Sequence, residues 1–239
     1  MRLLDLTFET AEENLALDEA LLDEAEAGRE PLEVLRIWEA PRPMVVLGRS
    51  SQASHEVELA FCRQQGIPVL RRASGGAAIV AGPGSLMYAV VLSYENHPAL
   101  RAVDEAHRFV LDTLLAALRP LAPGVRRRGT SDLALGELKF SGNSLRCKRH
   151  ALLYHGTLLY DFPLALVDEC LKMPPRQPDY RHQRAHGEFI TNLPLCARAL
   201  KKALQSAWSP KDVLVDWPRD RVRELVATRY GRAEWNEQH

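Results

Sequence analysis

Arg71-Arg72-Ala73-Ser74-Gly75-Gly76-Ala77-Ala78-Ile79-Val80-Ala81-Gly82-Pro83-Gly84 is the most informative stretch of this chain. Two fixed positive charges open it, small residues follow, and a Gly-Pro-Gly turn closes it. Small residues let backbone approach a ligand closely, and glycine reaches φ values that other residues avoid. Bare amides in such a loop attract anions, and two adjoining arginines point to a phosphate or a carboxylate. The loop has neither the Gly-x-x-x-x-Gly-Lys-Ser/Thr of nucleoside-triphosphate loops nor the Gly-x-Gly-x-x-Gly of dinucleotide folds. It therefore binds by another architecture.

The rest of the chain sets the frame. Its 239 residues are 46% hydrophobic and 26% charged, enough for the full core of one large domain, or of one domain with a small appendage. Lys plus Arg number 31 and Asp plus Glu 31, so net charge gives no argument for nucleic acid or a membrane surface, and neither is expected as a partner. The basic runs Arg126-Arg127-Arg128 and Arg146–His150 read as solvated faces. No apolar run reaches the roughly 20 residues of a spanning helix. Cys62, Cys147, Cys170 and Cys196 are widely spaced and form no Cys-x-x-Cys pair. With no signal peptide read at the start, they fit reduced thiols in a cytoplasmic protein.

Element signals alternate along the chain. Leu3–Phe8 reads as a strand, and Thr10 with Glu13 forms a capping box for a helix that Gly28 ends. Val34–Trp38 and Met44–Leu47 read as strands joined by Pro41-Arg42-Pro43. His55–Gln65 is expected to be one helix stopped by Gly66. Val69–Arg72 and Met87–Ser93 read as strands, and Pro98–Leu118 as a long helix. Ser131–Leu135, Leu138–Leu145 and Leu152–Tyr160 look like a meander with a Gly136-Glu137 turn. Leu164–Lys172, Leu193–Trp208 and Pro218–Tyr230 read as helices. Pro174–His186 is a polar loop with two readings, a lid or a plain connector. The fold class is α/β (α+β), with a mixed, largely antiparallel sheet flanked by helices, expected on one side.

Several residues stand out chemically. Lys139, in Lys139-Phe140-Ser141-Gly142-Asn143-Ser144, could neutralise charge on a bound carboxylate or phosphate; alone, a strand lysine also serves solubility. Gly142 marks close approach of backbone or ligand. His155-Gly156-Thr157 interrupts an apolar strand, where the histidine is either a core residue or part of a ligand wall. Asp132 is either a ligand for Mg²⁺, which takes one or two carboxylates plus substrate phosphates, or a partner for an arginine. Cys147, among Arg146, Lys148 and Arg149, and Cys170, beside Asp168 and Glu169, are the candidate nucleophiles should the chemistry need a thiolate.

Four segments, in order, resemble the lipoate–protein ligase and octanoyltransferase family, whose catalytic fold is that of the class II biotin/lipoyl ligases. They are Val46-Leu47-Gly48-Arg49-Ser50, Arg71–Ala78, Lys139–Ser144 and His155-Gly156-Thr157-Leu158-Leu159, and the likeness spans about Leu15 to Leu193. The resemblance implies a lipoate or octanoate chain in an apolar tunnel, with its carboxyl end between the glycine loop and Lys139. It implies ATP and Mg²⁺, an acyl-adenylate, and transfer to a lysine of a lipoyl carrier domain protein. Lys139 becomes the expected catalytic residue. Arg49, Arg71, Arg72, Ser74, Gly75, Gly76, Ala77, Ala78, Ile79, Ser141, Gly142, Asn143, His155, Gly156 and Thr157 become the expected substrate and nucleotide contacts, with Asp132 near the metal. Three departures stand out: Ala77 replaces the third glycine, Ala81-Gly82 replaces a histidine-containing pair, and the ligases' C-terminal accessory domain has no counterpart here. The expectation is a single catalytic domain over residues 1–239, with a separate accessory domain protein as a candidate partner. The alternatives are a transferase that takes octanoyl or lipoyl from acyl carrier protein through a cysteine thioester, and a non-catalytic acyl-binding paralogue. The segment Glu169-Cys170-Leu171-Lys172-Met173-Pro174 is more like the ligases' helix end, which favours the ligase.

Overall fold

A computed structural model describes residues 1–237. In chain order it has β1 (Arg2–Asp5), α1 (Ala11–Ala27), β2 (Val34–Glu39), β3 (Met44–Leu47), α2 (Ala53–Glu56), α3 (Leu59–Gln64), β4 (Val69–Arg71), β5 (Ile79–Ala81) and β6 (Ser85–Ser93). Then follow α4 (Val103–Leu118), β7 (Val125–Arg128), β8 (Asp132–Leu135), β9 (Leu138–Cys147), β10 (Ala151–Leu159), α5 (Ala165–Cys170), α6 (His186–Phe189), α7 (Ala197–Trp208), β11 (Asp212–Val213), α8 (Arg219–Leu225) and α9 (Ala233–Asn236). The large sheet has the order β11-β1-β2-β6-β10-β9-β8-β7. Its first three strands run parallel and the other neighbours antiparallel. A small sheet, β4-β3-β5, stands beside it. No helix among the described residues is long and apolar enough to cross a membrane.

Helices cover both faces of the large sheet, not one. Leu35, Ile37, Leu86, Tyr88 and Val90 pack with Val110 and Leu114 of α4 and Leu200 of α7. Their chain neighbours Val34, Trp38, Met87, Ala89 and Val91 pack with Leu17 and Leu21 of α1 and Val222 of α8. Strand alternation sends successive side chains to opposite faces, and β6 is buried along its whole length as a strand covered twice must be. The single-side expectation failed because β2 and β6 read as short apolar runs, which do not reveal how many faces are covered. Burial of one leucine is worth about 2 kcal/mol. Packing of Leu15, Leu17, Leu21 and Leu22 therefore holds α1 more than propensity does.

Several boundaries moved for identifiable reasons. Thr10 caps α1 as expected: its Oγ1 accepts the Glu13 N–H at 3.3 Å and donates to the Glu13 carboxylate at 2.6 Å. β2 and β3 flank Pro41–Pro43 but do not pair; they enter different sheets. The helix expected over His55–Gln65 is broken at Val57, which is extended and bridges Leu171. That break leaves Glu56 at the end of α2, facing the glycine loop. The long helix starts at Val103 after a separate turn at Pro98–Arg101. Arg126–Arg128 belongs to β7, the edge strand, where charge suits the exposed side.

His107 of α4 is a buried titratable group remote from the glycine loop. A ring nitrogen lies 2.9 Å from the Tyr154 hydroxyl, and burial pushes its pKa below the ordinary 6.5 despite nearby Asp104. The unfolded chain binds this proton more readily, so stability is intact above that value and declines as pH falls below it. Urea midpoints are expected to fall between about pH 7.5 and about pH 5.5, and less steeply in His107→Gln. Equal slopes in the two proteins would overturn the assignment.

Candidate active site

Protein donors hold the successive carbonyls of the glycine loop, from Ser74 to Ala77. Arg72, buried just after β4, donates to Val46 O at 3.1 Å, to Ala77 O at 3.1 Å and to Gly75 O. Its Nε also donates to Ser74 Oγ at 3.0 Å. Ser144 Oγ holds Gly75 O at 2.8 Å and Ser51 Oγ holds Gly76 O at 3.2 Å. Ala78 N–H donates to the buried Glu56 carboxylate at 2.7 Å. Among the described residues, the exposed amides of Gly75, Gly76 and Ala77 have no protein acceptor. Gly76 sits at φ +91°, which only glycine adopts without strain. The arginines do a different job: Arg72 shapes the loop from behind, and burial lowers its pKa to about 10.

Arg71 lies outside the cavities. It donates to Gly48 O at 2.8 Å and Ser51 O at 2.7 Å, and to Trp235 O and Asn236 O of α9 at 3.0 and 3.1 Å. Arg49 contributes backbone, with its N–H on Ser74 O at 2.8 Å, while its side chain is exposed. Gly48 is obligatory, because a Cβ there would overlap the Gly76 carbonyl.

Lys139 is the second residue of β9, and its carbonyl accepts Thr191 N–H at 2.9 Å. Its ammonium pairs with Asp132 Oδ1 at 2.8 Å, and Asp132 Oδ2 accepts the Tyr180 hydroxyl at 2.8 Å. The charge partner of Asp132 is thus Lys139 and not an arginine. Lys139 lies over Gly142, where a Cβ would stand 2.9 Å from Nζ. Tyr180 belongs to the polar loop, which thereby roofs this region and is more than a connector.

His155 links the sheet to the loop. A ring nitrogen, Nε2, lies 2.6 Å from Ser74 Oγ, and Nδ1 lies 3.1 Å from Asp18 Oδ2. Asp18 also pairs with Arg36 at 2.5 Å. Burial alone would raise the Asp18 carboxyl, but Arg36 and His155 outweigh it, and its pKa lies below the usual value. Buried Arg36 is further held by Asn14 O at 2.6 Å and Asn14 Oδ1 at 2.9 Å. The next residue, Gly156, pairs with Tyr88 on one side and Asn143 on the other. The Tyr88 hydroxyl reaches Asn143 Oδ1 at 2.5 Å across it. A Cβ at Gly156 would overlap that oxygen.

Two cavities of about 150 and 160 Å³ meet at one wall formed by Ala77, Ala78, Ile79, Lys139, Gly142 and Thr157. One has an apolar end of Leu15, Trp38, Val46 and Met87, and includes Asp18, Arg72, Gly76, Asn143, His155 and Gly156. The other lies under the polar loop and takes charge from Glu56, Lys172, Arg176 and Arg181, with Ser141 among its lining. A wider surface cleft beside Pro41–Pro43 contains none of the expected residues. The sequence reading missed Asp18, Arg36, Glu56 and Tyr180. A signal existed for two of them: Arg36 interrupts an apolar strand and needs a buried partner, and Asn14 and Asp18 fall four apart on the leucine-bearing helix.

The candidate thiols lie elsewhere. Cys147 ends β9, eight residues and about 26 Å of strand beyond Lys139. Cys170 is fully buried, lines neither cavity, and its thiol is pushed up to about 12 by burial and by Cys62. Native protein is expected to react with a thiol reagent at Cys147 and Cys196 only, with Cys62 and Cys170 labelled after unfolding; rapid native labelling of Cys170 contradicts this placement. Gly156→Ala is expected to lower stability by about 1–3 kcal/mol, and Asn143→Gly on that background to restore part of the loss. Wild-type melting of Gly156→Ala would show that the notch is not filled.

Known proteins are similar to this chain in sequence and in fold. The family described as lipoyl protein ligase A/B catalytic domain matches residues 10–206. An Aeropyrum pernix protein named "Putative lipoate-protein ligase A" is 36% identical over 147 residues, 61% of this chain and 52% of that protein. The chain thus spans about half of that relative's length. The octanoyltransferase LipM of Geobacillus kaustophilus is 25% identical over 93% of this chain and 92% of its own. In fold, the chain is similar to a lipoate-protein ligase A bound with ATP, with TM-score 0.84 and 24% identity over 99% and 98% of the two chains. It is equally similar to the Thermoplasma acidophilum bi-partite lipoate protein ligase described with its E2 lipoyl domain, with TM-score 0.83 and 23% identity over 99% and 95%. A match that runs through α1, the glycine loop, Lys139 and His155 places this chain in the lipoyl protein ligase A/B catalytic-domain family.

Proposed function

We propose that the chain is a lipoate–protein ligase that activates lipoate or octanoate with ATP and passes the acyl group to a lysine of a lipoyl carrier domain. The supporting observation is Lys139, whose ammonium stands in the wall shared by an apolar cavity and a charged one. The acyl chain takes the end lined by Leu15, Trp38, Val46 and Met87. The nucleotide takes the side of Lys172, Arg176 and Arg181. The two reacting groups meet at the common wall.

In the first step a carboxylate oxygen of the acid attacks the α-phosphorus. The acyl-AMP forms and pyrophosphate leaves. In the second, the carrier lysine's neutral amine attacks the acyl carbon, AMP departs and a proton is released. Negative charge grows on phosphate oxygens and then on the carbonyl oxygen. The free amides of Gly75, Gly76 and Ala77 and the Lys139 ammonium are fixed donors for that charge, and a fixed donor of this kind is worth about 10²–10³ in rate. Asp132 holds the ammonium in place, and Ser141, Gly142, Asn143, Gly156 and Thr157 form the surrounding wall. Arg71, Arg72, Ser74 and His155 act through the shape of the loop.

The residues suit a divalent ion that arrives with the nucleotide. No group of three His, Cys, Asp or Glu side chains gathers among the described residues. Nucleotide-bound Mg²⁺ needs only one or two protein carboxylates, and Asp132 is the carboxylate beside Lys139. When bound, the ion neutralises phosphate charge. The thioester route is less well supported, since Cys147 lies about 26 Å along the strand from Lys139 and Cys170 is buried. A separate accessory protein belongs to the proposal, and the bi-partite Thermoplasma ligase supports it.

The test is pyrophosphate release from lipoate and ATP. Lys139→Ala should lower the rate by about 10²–10³ while leaving melting close to wild type. Absence of release by wild type, with and without an accessory protein, rejects the ligase. Octanoyl transfer from acyl carrier protein that is lost in Cys147→Ala or Cys170→Ala would establish the thioester route.

A further inference from the structure

The segment from Val226 to Asn236 grips two parts of the molecule that each hold a site residue. On one side, Arg71 N–H donates to Asn236 Oδ1 at 3.0 Å, Trp235 Nε1 donates to Arg71 O at 2.8 Å, and the Arg71 guanidinium donates to Trp235 O and Asn236 O. Arg71 directly precedes Arg72, which shapes the glycine loop. The same guanidinium holds Gly48 O and Ser51 O beneath that loop. On the other side, Tyr230 donates to Glu19 Oε2 at 2.7 Å and Arg229 pairs with Glu19. Glu19 directly follows Asp18, the partner of His155. Within the segment, Asn236 Nδ2 donates to Tyr230 O at 2.9 Å, and the Arg229 guanidinium stacks over Trp235 at 4.7 Å. The segment is therefore one braced unit with two feet. Neither Trp235 nor Asn236 lines either cavity.

We infer that this C-terminal segment is a positioning element of the active site, which fixes the glycine loop from behind through Arg71 and α1 through Glu19. Resting on the ligase reading above, the inference assigns Trp235 and Asn236 to substrate binding without contact. Loss of the brace leaves the chemistry of Lys139 in place and lowers the share of chains whose loop amides are arranged for the acid and the nucleotide. The Michaelis constant for the acid rises more than the turnover falls.

The experiment compares wild type with Asn236→Ala, Trp235→Ala, Arg71→Lys and the pair Arg71→Lys/Asn236→Ala. It reads pyrophosphate kinetics, melting, and backbone hydrogen exchange of residues 72–78 in unliganded protein. The expected result is a KM for lipoate raised between about 3-fold and about 30-fold, faster exchange at 72–78, and a pair no worse than its worse single variant. Arg223→Ala, on the exposed face of α8, should match wild type. Wild-type exchange at 72–78 in Asn236→Ala and Trp235→Ala overturns the inference, whatever the reaction proves to be. Effects that multiply in the pair also overturn it, because they mean the two residues act separately. A wild-type protein that releases no pyrophosphate rejects the ligase reading, and the exchange measurement then decides the brace alone. Should Arg71→Lys fail to fold, the two α9 variants carry the test.

Discussion

Arg72 imposes the constraint on which the site depends. One guanidinium collects the carbonyls of Val46, Gly75 and Ala77 and the Ser74 hydroxyl. A peptide unit whose carbonyl is drawn inward must turn its amide outward. The bare donor at Gly76 is thus the reverse side of a buried cation's own hydrogen bonding, while those at Gly75 and Ala77 stand behind carbonyls held by Arg49 N–H and Ser51 Oγ, and the amide behind Ala77 O, that of Ala78, goes to Glu56. Burying that cation is costly unless its donors are matched, and here the loop it shapes supplies most of the acceptors. Position 71 differs in kind. Its neighbouring guanidinium serves the floor of the small sheet and the far end of the chain.

The charged groups around this loop form two linked sets. Arg36, Asp18, His155 and Ser74 run from β2 through α1 and β10 to the loop. Tyr180, Asp132 and Lys139 run from the polar roof to the start of β9. The first set meets the loop on its apolar side and the second fixes the ammonium. Glycine appears where two pieces of backbone or a side chain must cross, at 48 beneath the loop, at 142 under Lys139 and at 156 under Asn143.

Much of this was legible in the residues. The loop, Lys139, His155-Gly156-Thr157 and Gly142 form one contiguous region, and their local patterns identified them: small residues in a run, a lysine beside Ser-Gly, a histidine inside an apolar strand. The direction of the two arginines was not legible, since a sequence shows charge but not which acceptors a buried guanidinium finds. Asp18 and Glu56 were missed because each sits on a helix among ordinary acidic residues and gains meaning only from residues that the fold brings close. The helix break at Val57 was hidden for the same reason: a bridge to Leu171, distant in sequence, overrides local propensity. The second sheet was also invisible, because β3 and β5 are short and pair across the loop they enclose.

The bonds between Arg71 and α9 join residues 164 and 165 positions apart. A loop held by residues so far apart in sequence takes its final form only once both stretches have met, however early the sheet forms. The cavity-lining residues, from Leu15 to Ile190, all precede Trp235 and Asn236 in the chain. Closure of this contact is then a long-range step of folding, late relative to the pairing of neighbouring strands.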